Sequence, residues 1–341
     1  MLQISNYPMT ASLFRSCCLL VYYLGVHVGI SGYEIHDASL DVRPLESSKK
    51  LRSLKSRIVG GTIADATRHS YFTFITVLDD RGRPFARCGG SLIAPDVVLT
   101  AAHCVYGRGG TGNGTIQALV NQTVLFEKTG YEFERTSRFY LVHPKYDPKV
   151  FVNHDIALVF LKDPVKGVPL LKINAEASLP SAGQSNLIVG LGWTNSSPVT
   201  FAKNLMQAPL NVLSFQTCLK AYRASSLPIA KNTSFCAGGS RKGSCSGDSG
   251  GPLIRKGASA GQDVQTGIAS FGPRPCGMAG VPNGFTRVSY YSKWIHANVC
   301  RFSSSSSSKP LTNSCTTGVK PTTKRPTGKP SVRNSSAKPV I

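Results

Sequence analysis

The stretch Gly243-Ser244-Cys245-Ser246-Gly247-Asp248-Ser249-Gly250-Gly251-Pro252-Leu253 constrains this chain more than any other. Glycines on both sides of Ser249 permit a tight, strained turn that residues carrying a Cβ resist. The N–H groups of such a turn converge on one small space. Those of Gly247 and Ser249 can there hold the negative charge that develops when the Ser249 hydroxyl attacks a carbonyl. A serine hydroxyl is a weak nucleophile until a base takes its proton, so the string calls for a histidine and a carboxylate elsewhere. A bare glycine-flanked serine also occurs as a plain connecting turn. The longer string and the partners described below argue against that reading.

Around this turn the chain is written in short strands. Residues 71–78 alternate in polarity, and apolar runs follow at 90–93, 97–100, 139–142, 156–161, 187–190, 209–213, 252–254 and 266–270. With 33 glycines, 21 prolines and only 16% charged residues, the pattern predicts an all-β sandwich or a pair of barrels. A single helix is expected near Tyr290–Val299, where Tyr291, Trp294, Ile295 and Val299 fall on one face.

The two ends differ from this middle. Residues 1–32 hold one basic residue, Arg15, then an apolar run from Cys17 to Ile30. That run suits a signal peptide and is short for a stable membrane span of about 20 residues, a signal anchor being the alternative. Residues 33–57 are polar, of mixed charge, and end in a basic run that meets Ile58-Val59-Gly60-Gly61 at Arg57. They read as a pro-segment removed by cutting after Arg57, or as a flexible linker. The expected domain covers 58–300. The remainder, 301–341, has a six-serine run, eight basic residues and no acidic one, which predicts a disordered cationic tail.

The net charge is +22. No basic stripe is interleaved with aromatics, which excludes nucleic acid as the expected partner and leaves polyanionic surfaces such as acidic glycans. Ten cysteines without a Cys-x-x-Cys pair favour disulfides over zinc. The acidic residues between 105 and 135 are too few for a calcium loop, so neither metal nor cofactor is expected. Sequons at Asn113, Asn121, Asn195, Asn232 and Asn334 agree with a secreted, extracellular glycoprotein.

The partners that Ser249 requires are present. Thr100-Ala101-Ala102-His103-Cys104 offers the base, and Cys104 could bond Cys88 and fix the local backbone. Asp155 opens the apolar run Ile156-Ala157-Leu158; a buried carboxylate needs a partner, and a hydrogen bond from His103 would supply one. Ser270 is a candidate second donor to Asp155.

Together with Arg57-Ile58-Val59-Gly60-Gly61 and His143-Pro144-Lys145-Tyr146-Asp147-Pro148, these strings resemble the chymotrypsin/trypsin-like family of secreted serine endopeptidases across about residues 58–299. The resemblance implies two six-stranded antiparallel β-barrels with a C-terminal helix and the site between the barrels. It makes His103 the general base and acid, Asp155 its orienting partner, Ser249 the nucleophile, and the N–H groups of Gly247 and Ser249 the oxyanion hole. It also implies activation after Arg57 by another trypsin-like protease, the new α-amino group of Ile58 pairing with Asp248. The disulfides it carries over are Cys88–Cys104, Cys218–Cys236 and Cys245–Cys276. Cys300 and Cys315 match no familiar position, and pairing with each other or with another chain stays open.

The substrate pocket departs from the basic-specific pattern. The position six before Ser249, an aspartate in members that prefer Arg or Lys, is Gly243. The second pocket position is Asn283, uncharged, and Gly272 is expected to leave the wall open. A neutral, open pocket should take a bulky apolar or polar-neutral side chain of a protein or peptide substrate. The competing class is a catalytically weak, protease-like binding or inhibitor module.

Overall fold

The computed structural model describes residues 58–107, 115–196 and 199–304. The expected signal peptide, the pro-segment with Arg57, and the cationic tail from 305 onward lie outside them.

Sixteen strands and three α-helices run through the described residues. The first barrel is built from β2 (Phe72–Leu78), β3 (Pro84–Ala94), β4 (Val97–Thr100), β5 (Ile116–Val120), β6 (Phe133–Val142) and β7 (Ala157–Leu161). It closes in the order β2-β3-β4-β7-β6-β5, the last strand pairing back onto the first through five residue pairs, Thr73↔Val120 to Val77↔Ile116. Closure leaves no free edge to protect. Strands β4 and β7 are apolar at nearly every position and buried throughout, because both their faces are covered. Strand β6 is half exposed, matching its mixed sequence FERTSRFYLV.

The second half comprises β1 (Thr62–Ile63), β8 (Lys172–Ile173), β9 (Ser185–Gly190), β12 (Met206–Asn211), β13 (Ser234–Ala237), β14 (Pro252–Arg255), β15 (Val264–Phe271) and β16 (Asn283–Arg287). Its order is β1-β12-β9-β14-β15-β16-β13, with β8 lying parallel to β15. Here the six-strand ring returns on itself through one bridge, Val212↔Ala237, rather than a ladder. Around that bridge the Leu213 N–H donates to the Cys236 carbonyl at 2.9 Å and the Gly238 N–H to the Asn211 carbonyl at 3.0 Å. A separate hairpin joins β10 (Trp193–Ser196) and β11 (Val199–Phe201).

Helix α1 (Ala102–Val105) follows β4 directly, and α2 (Phe215–Ala221) is capped by the Ser214 hydroxyl accepting from the Thr217 N–H. Helix α3 (Val288–Phe302) buries Val288, Tyr291, Ile295 and Val299, with Trp294 packed partly buried against the same core. The apolar positions recur at the helical period, which is why the segment is a helix amid strands. It runs past the expected boundary at 300. The Ser303 hydroxyl and the Ser304 N–H and hydroxyl donate to the fully buried carboxylate of Asp96, at 2.5, 2.7 and 2.8 Å, so the ordered chain extends into the start of the serine run.

The core of the first barrel continues into the second half through Val189, Leu191, Ile254 and Ile268. A second core inside the other ring gathers Ile58, Ile188, Met206, Leu210, Phe235, Leu253 and Phe285. The cystines are Cys88–Cys104, Cys218–Cys236 and Cys245–Cys276, and Cys300 is also disulfide-bonded. Of the sequons, Asn232 is exposed, whereas the Asn121 amide donates to the Tyr131 carbonyl at 3.0 Å. Among the described residues no helix is long and apolar enough to cross a membrane.

Candidate active site

Strand β4 ends at Thr100, and the single turn of α1 that follows carries His103. Cys104, its neighbour, is tied to Cys88 on β3, which fixes the backbone of this turn from both sides. Asp155 stands just ahead of β7, the strand paired with β4, so adjacent strands deliver the two side chains to one place.

The carboxylate of Asp155 is fully buried. Its Oδ2 lies 2.8 Å from His103 Nδ1 and accepts from the Ser270 hydroxyl at 2.6 Å, while Oδ1 accepts from the His103 N–H at 2.9 Å. The backbone bond and the ring bond together fix which imidazole nitrogen faces the carboxylate. Nε2 is thereby turned away from it, and the side chain is 23% exposed. Sequence reasoning missed a further partner: the Thr286 hydroxyl on β16 donates to the Asp155 carbonyl at 2.8 Å. Ser270 and Thr286 both come from the second half, so the position of Asp155 depends on the two halves meeting.

Ser249 sits on the loop before β14. Its carbonyl accepts from the Gly89 N–H of β3 at 2.7 Å, and the next N–H, that of Gly250, donates to the Ala269 carbonyl at 2.8 Å. Gly247 and Gly250 have φ of +92° and +78°, values that glycine adopts without strain. At Gly250 a Cβ would also run into Thr100 Oγ1 and the Gly89 carbonyl. Among the described residues, the N–H groups of Gly247 and Ser249 donate to no acceptor. His103 and Ser249 line the same cleft, of about 680 Å³, and Tyr106, Tyr146, Phe151 and Arg274 are also in its lining. These aromatic lining residues carry no sequence signal that sets them apart from core aromatics.

Asp248, beside the serine, is also fully buried. Oδ1 accepts from the Gly192 N–H at 2.8 Å and Oδ2 from the Cys245 N–H at 2.9 Å. Burial pushes its carboxyl up to about 7, against the pull of those two bonds. A Cβ on Gly190 or Gly192 would overlap this side chain. The alternating glycines in Gly190-Leu191-Gly192-Trp193 were the signal for such a close approach. Ile58 is fully buried in the second core, and Val59 is anchored by accepting from the Gly243 N–H at 3.2 Å.

The pocket residues come together differently from the expectation. Gly243, Gly272 and Asn283 do converge, but the Asn283 amide occupies the space between the two glycines. A Cβ on Gly243 would overlap its Oδ1, and one on Gly272 would overlap its Nδ2. The amide is held there by donating to the Ser244 carbonyl at 3.1 Å, and it is 3% exposed. The two glycines make room for the amide, and none of the three residues carries a charge.

Behind Asp155, His154 has φ +54° and stacks on His143 at 5.1 Å, with the Tyr291 hydroxyl 3.0 Å from His154 Nδ1. Burial, the neighbouring imidazole and Lys145 lower His143 to about 4. Burial, then Lys145, lowers His154. Both rings are therefore neutral near pH 7 and add no charge behind Asp155.

Comparison with known proteins gives the class. The model of the family described as Trypsin matches residues 58–295, so the chain belongs to the trypsin family and is a serine endopeptidase. It is 30% identical to CLIP domain-containing serine protease B4 of Anopheles gambiae, over 72% of this chain and 71% of that protein. It is 31% identical to human Kallikrein-2, over 71% of this chain and 89% of that one. With Limulus clotting factor C of Carcinoscorpius rotundicauda it shares 32% identity over 64% of its own length, but spans only 23% of that longer protein.

Proposed function

We propose that the protein is a secreted endopeptidase working through an acyl-enzyme, with His103, Asp155 and Ser249 as its catalytic residues. The observation that carries this is the Asp155 carboxylate, bound to Nδ1 and the N–H of His103 in the cleft that Ser249 lines. The Ser249 hydroxyl attacks the scissile carbonyl carbon as its proton passes to His103 Nε2. The oxyanion is held by the Gly247 and Ser249 N–H groups. Asp155 stabilises the imidazolium, which then protonates the departing amine as the C–N bond breaks. Water repeats the sequence on the ester and restores Ser249.

Activation follows from cutting after Arg57. The new Ile58 ammonium provides the charge that the buried Asp248 lacks, ordering the loop that carries Gly247 and Ser249. The primary pocket is neutral. Asn283, wedged between Gly243 and Gly272, gives a basic side chain no counter-charge and shortens the pocket, so small or polar-neutral side chains are favoured. The activating enzyme is therefore a different, basic-specific protease. Acidic glycans are the non-substrate partner suggested by the +22 charge.

Peptide-library profiling of protein cut after Arg57, beside Ser249→Ala, tests the reading. Turnover with uncharged residues before the scissile bond, lost in Ser249→Ala, is expected. Peptide binding without turnover, and no labelling by a covalent serine-hydrolase probe, would favour the binding-module alternative.

A further inference from the structure

The Asp155 carboxylate is carried by a strained piece of backbone. His154, just before it, has φ +54°, a left-handed conformation that a residue with a Cβ adopts at a cost. The Ile156 N–H donates to the His154 carbonyl at 2.9 Å, which closes a γ-turn with Asp155 at its centre. The direction of the Asp155 side chain depends on that turn. Were His154 to relax to an ordinary φ, the peptide joining it to Asp155 would rotate and carry the carboxylate away from His103 Nδ1.

The residues around the turn are tied by side chains from the second half. The Ser234 hydroxyl donates to the Val152 carbonyl at 2.9 Å, the Thr233 hydroxyl to Asn153 Oδ1 at 3.0 Å, and the Thr286 hydroxyl to the Asp155 carbonyl. These bonds fix where positions 153 and 155 lie, but none of them acts on His154. The His154 ring has its own seat. It lies parallel to the ring of His143, at 5.1 Å and 6°, and edge-on to Tyr291 at 5.9 Å. The Tyr291 hydroxyl stands 3.0 Å from its Nδ1. Tyr291 belongs to α3 and is buried, so its hydroxyl needs polar company, and the neutral imidazole supplies it. His143 in turn is fixed across the turn, its N–H donating to the Ile156 carbonyl at 3.1 Å. Glycine or asparagine reaches the left-handed region more easily than histidine does. A histidine at this position is accounted for by what its ring touches.

We infer that His154 and Tyr291 are positioning residues of the proteolytic reaction. The Tyr291 hydroxyl and the His143 ring hold the His154 imidazole, and the held imidazole keeps the turn that aims the Asp155 carboxylate at His103. Neither side chain lines the cleft; both act through Asp155. The inference rests on the proteolytic reading above, in which Asp155 orients the base.

The test uses protein cut after Arg57 and variants that separate ring from backbone. His154→Gly adopts the left-handed conformation freely but lacks the ring. It should lower kcat about 10²-fold, with KM within about twofold of the parent. Tyr291→Phe keeps the buried ring, loses the hydroxyl, and should lower kcat about tenfold. His154→Asn suits the same backbone and offers an amide to the Tyr291 hydroxyl, so its kcat should stay within about threefold of the parent. The second readout is the proton NMR resonance of the hydrogen between His103 Nδ1 and Asp155, which a short bond to a carboxylate shifts far downfield. It should broaden or move upfield in His154→Gly and Tyr291→Phe, and return in His154→Asn. A loss of overall stability alone would leave it in place. Full kcat in His154→Gly, or a lowered kcat with an unmoved resonance, overturns the proposal. Should His154→Gly fail to fold, Tyr291→Phe decides by the same two readings. Should the parent cut no substrate, the proteolytic reading falls by itself, and the resonance alone judges the positioning.

Discussion

The two halves of the molecule hold their functional groups in different ways. The first barrel is closed by continuous ladders, and its two contributions, His103 and Asp155, sit at the ends of paired, fully buried strands. The second ring is closed by one bridge, and Ser249 rides on a loop whose shape depends on glycines packed against neighbouring backbone. Their buried carboxylates differ in the same sense. Asp155 has an imidazole and a hydroxyl as partners, while Asp248 has two backbone N–H groups and no cation among the described side chains. The proposed base, His103, is thus held by strand pairing already complete in the chain, and the proposed nucleophile, Ser249, by an arrangement that an added charge would strengthen. That division fits the proposed activation after Arg57, in which the first barrel stays fixed and the Ser249 loop responds.

The largest effects should come from the groups on which both halves converge. Ser249→Ala should lower kcat by about 10⁶ and Asp155→Asn by about 10⁴, read on protein cut after Arg57 with thermal stability measured alongside. A much smaller loss in Asp155→Asn would mean that the first barrel does not supply the orienting group.

The pH dependence of the uncut chain sharpens the contrast next. The Asp248 carboxyl is raised from 3.8 to about 7, so between those values the folded chain holds a proton that the unfolded chain releases. Its stabilising contribution is complete below about 4 and is lost as pH rises towards 7. The melting temperature of the uncut protein should fall across that window, and Asp248→Asn should flatten the fall. Cutting after Arg57 should restore stability at pH 7 to 8, because the Ile58 ammonium favours the charged form. An uncut protein whose melting temperature does not respond to Asp248→Asn at any pH in the window would break the comparison.

Glycine replacements separate the halves by packing alone. Gly250→Ala combines a left-handed backbone with overlap on Thr100 and Gly89, and should cost about 3 kcal/mol or more. Gly82→Ala, equally left-handed at φ +74° but with nothing within 4 Å, should cost about 1 kcal/mol. Denaturant titration of the pair measures the difference. A further effect, on rate and not on stability, concerns the hydrogen bond between the halves: Ser270→Ala should lower kcat/KM about tenfold, equivalent to about 1.4 kcal/mol, with little change in stability.

Much of the proposed site, which the structure gathers around one cleft, was legible in the chain. Local strings carry it: the small residues before His103, the apolar run behind Asp155, and the glycines around Ser249. The long apolar or alternating runs of β2, β4, β7, β9, β14 and β15 were legible for the same reason, since strand burial imprints its period on consecutive residues. The strands β5, β13 and β16 were not singled out. IQALV is short, and NGFTR begins with a turn-forming pair, yet lies buried at four of its five positions between β15 and β13. Gly272 illustrates the limit at the site. Alone it reads as an open wall, but the Asn283 side chain fills the space it leaves.

By itself, then, the order of residues determined which chemistry the chain can perform and the β character that supports it, because glycine turns, small-residue flanks and apolar periods are local properties. Only the tertiary structure decided that Thr286 braces Asp155 from the other half, that Asn283 fills the space beside Gly243, and that Phe126, Phe201 and Arg87 share one surface. Those pairs are separated by 131, 40 and up to 114 positions in the chain, and no local pattern records which distant side chain will occupy a given space. Packing of one half against the other makes that choice, through volume and hydrogen-bond satisfaction evaluated across the whole fold.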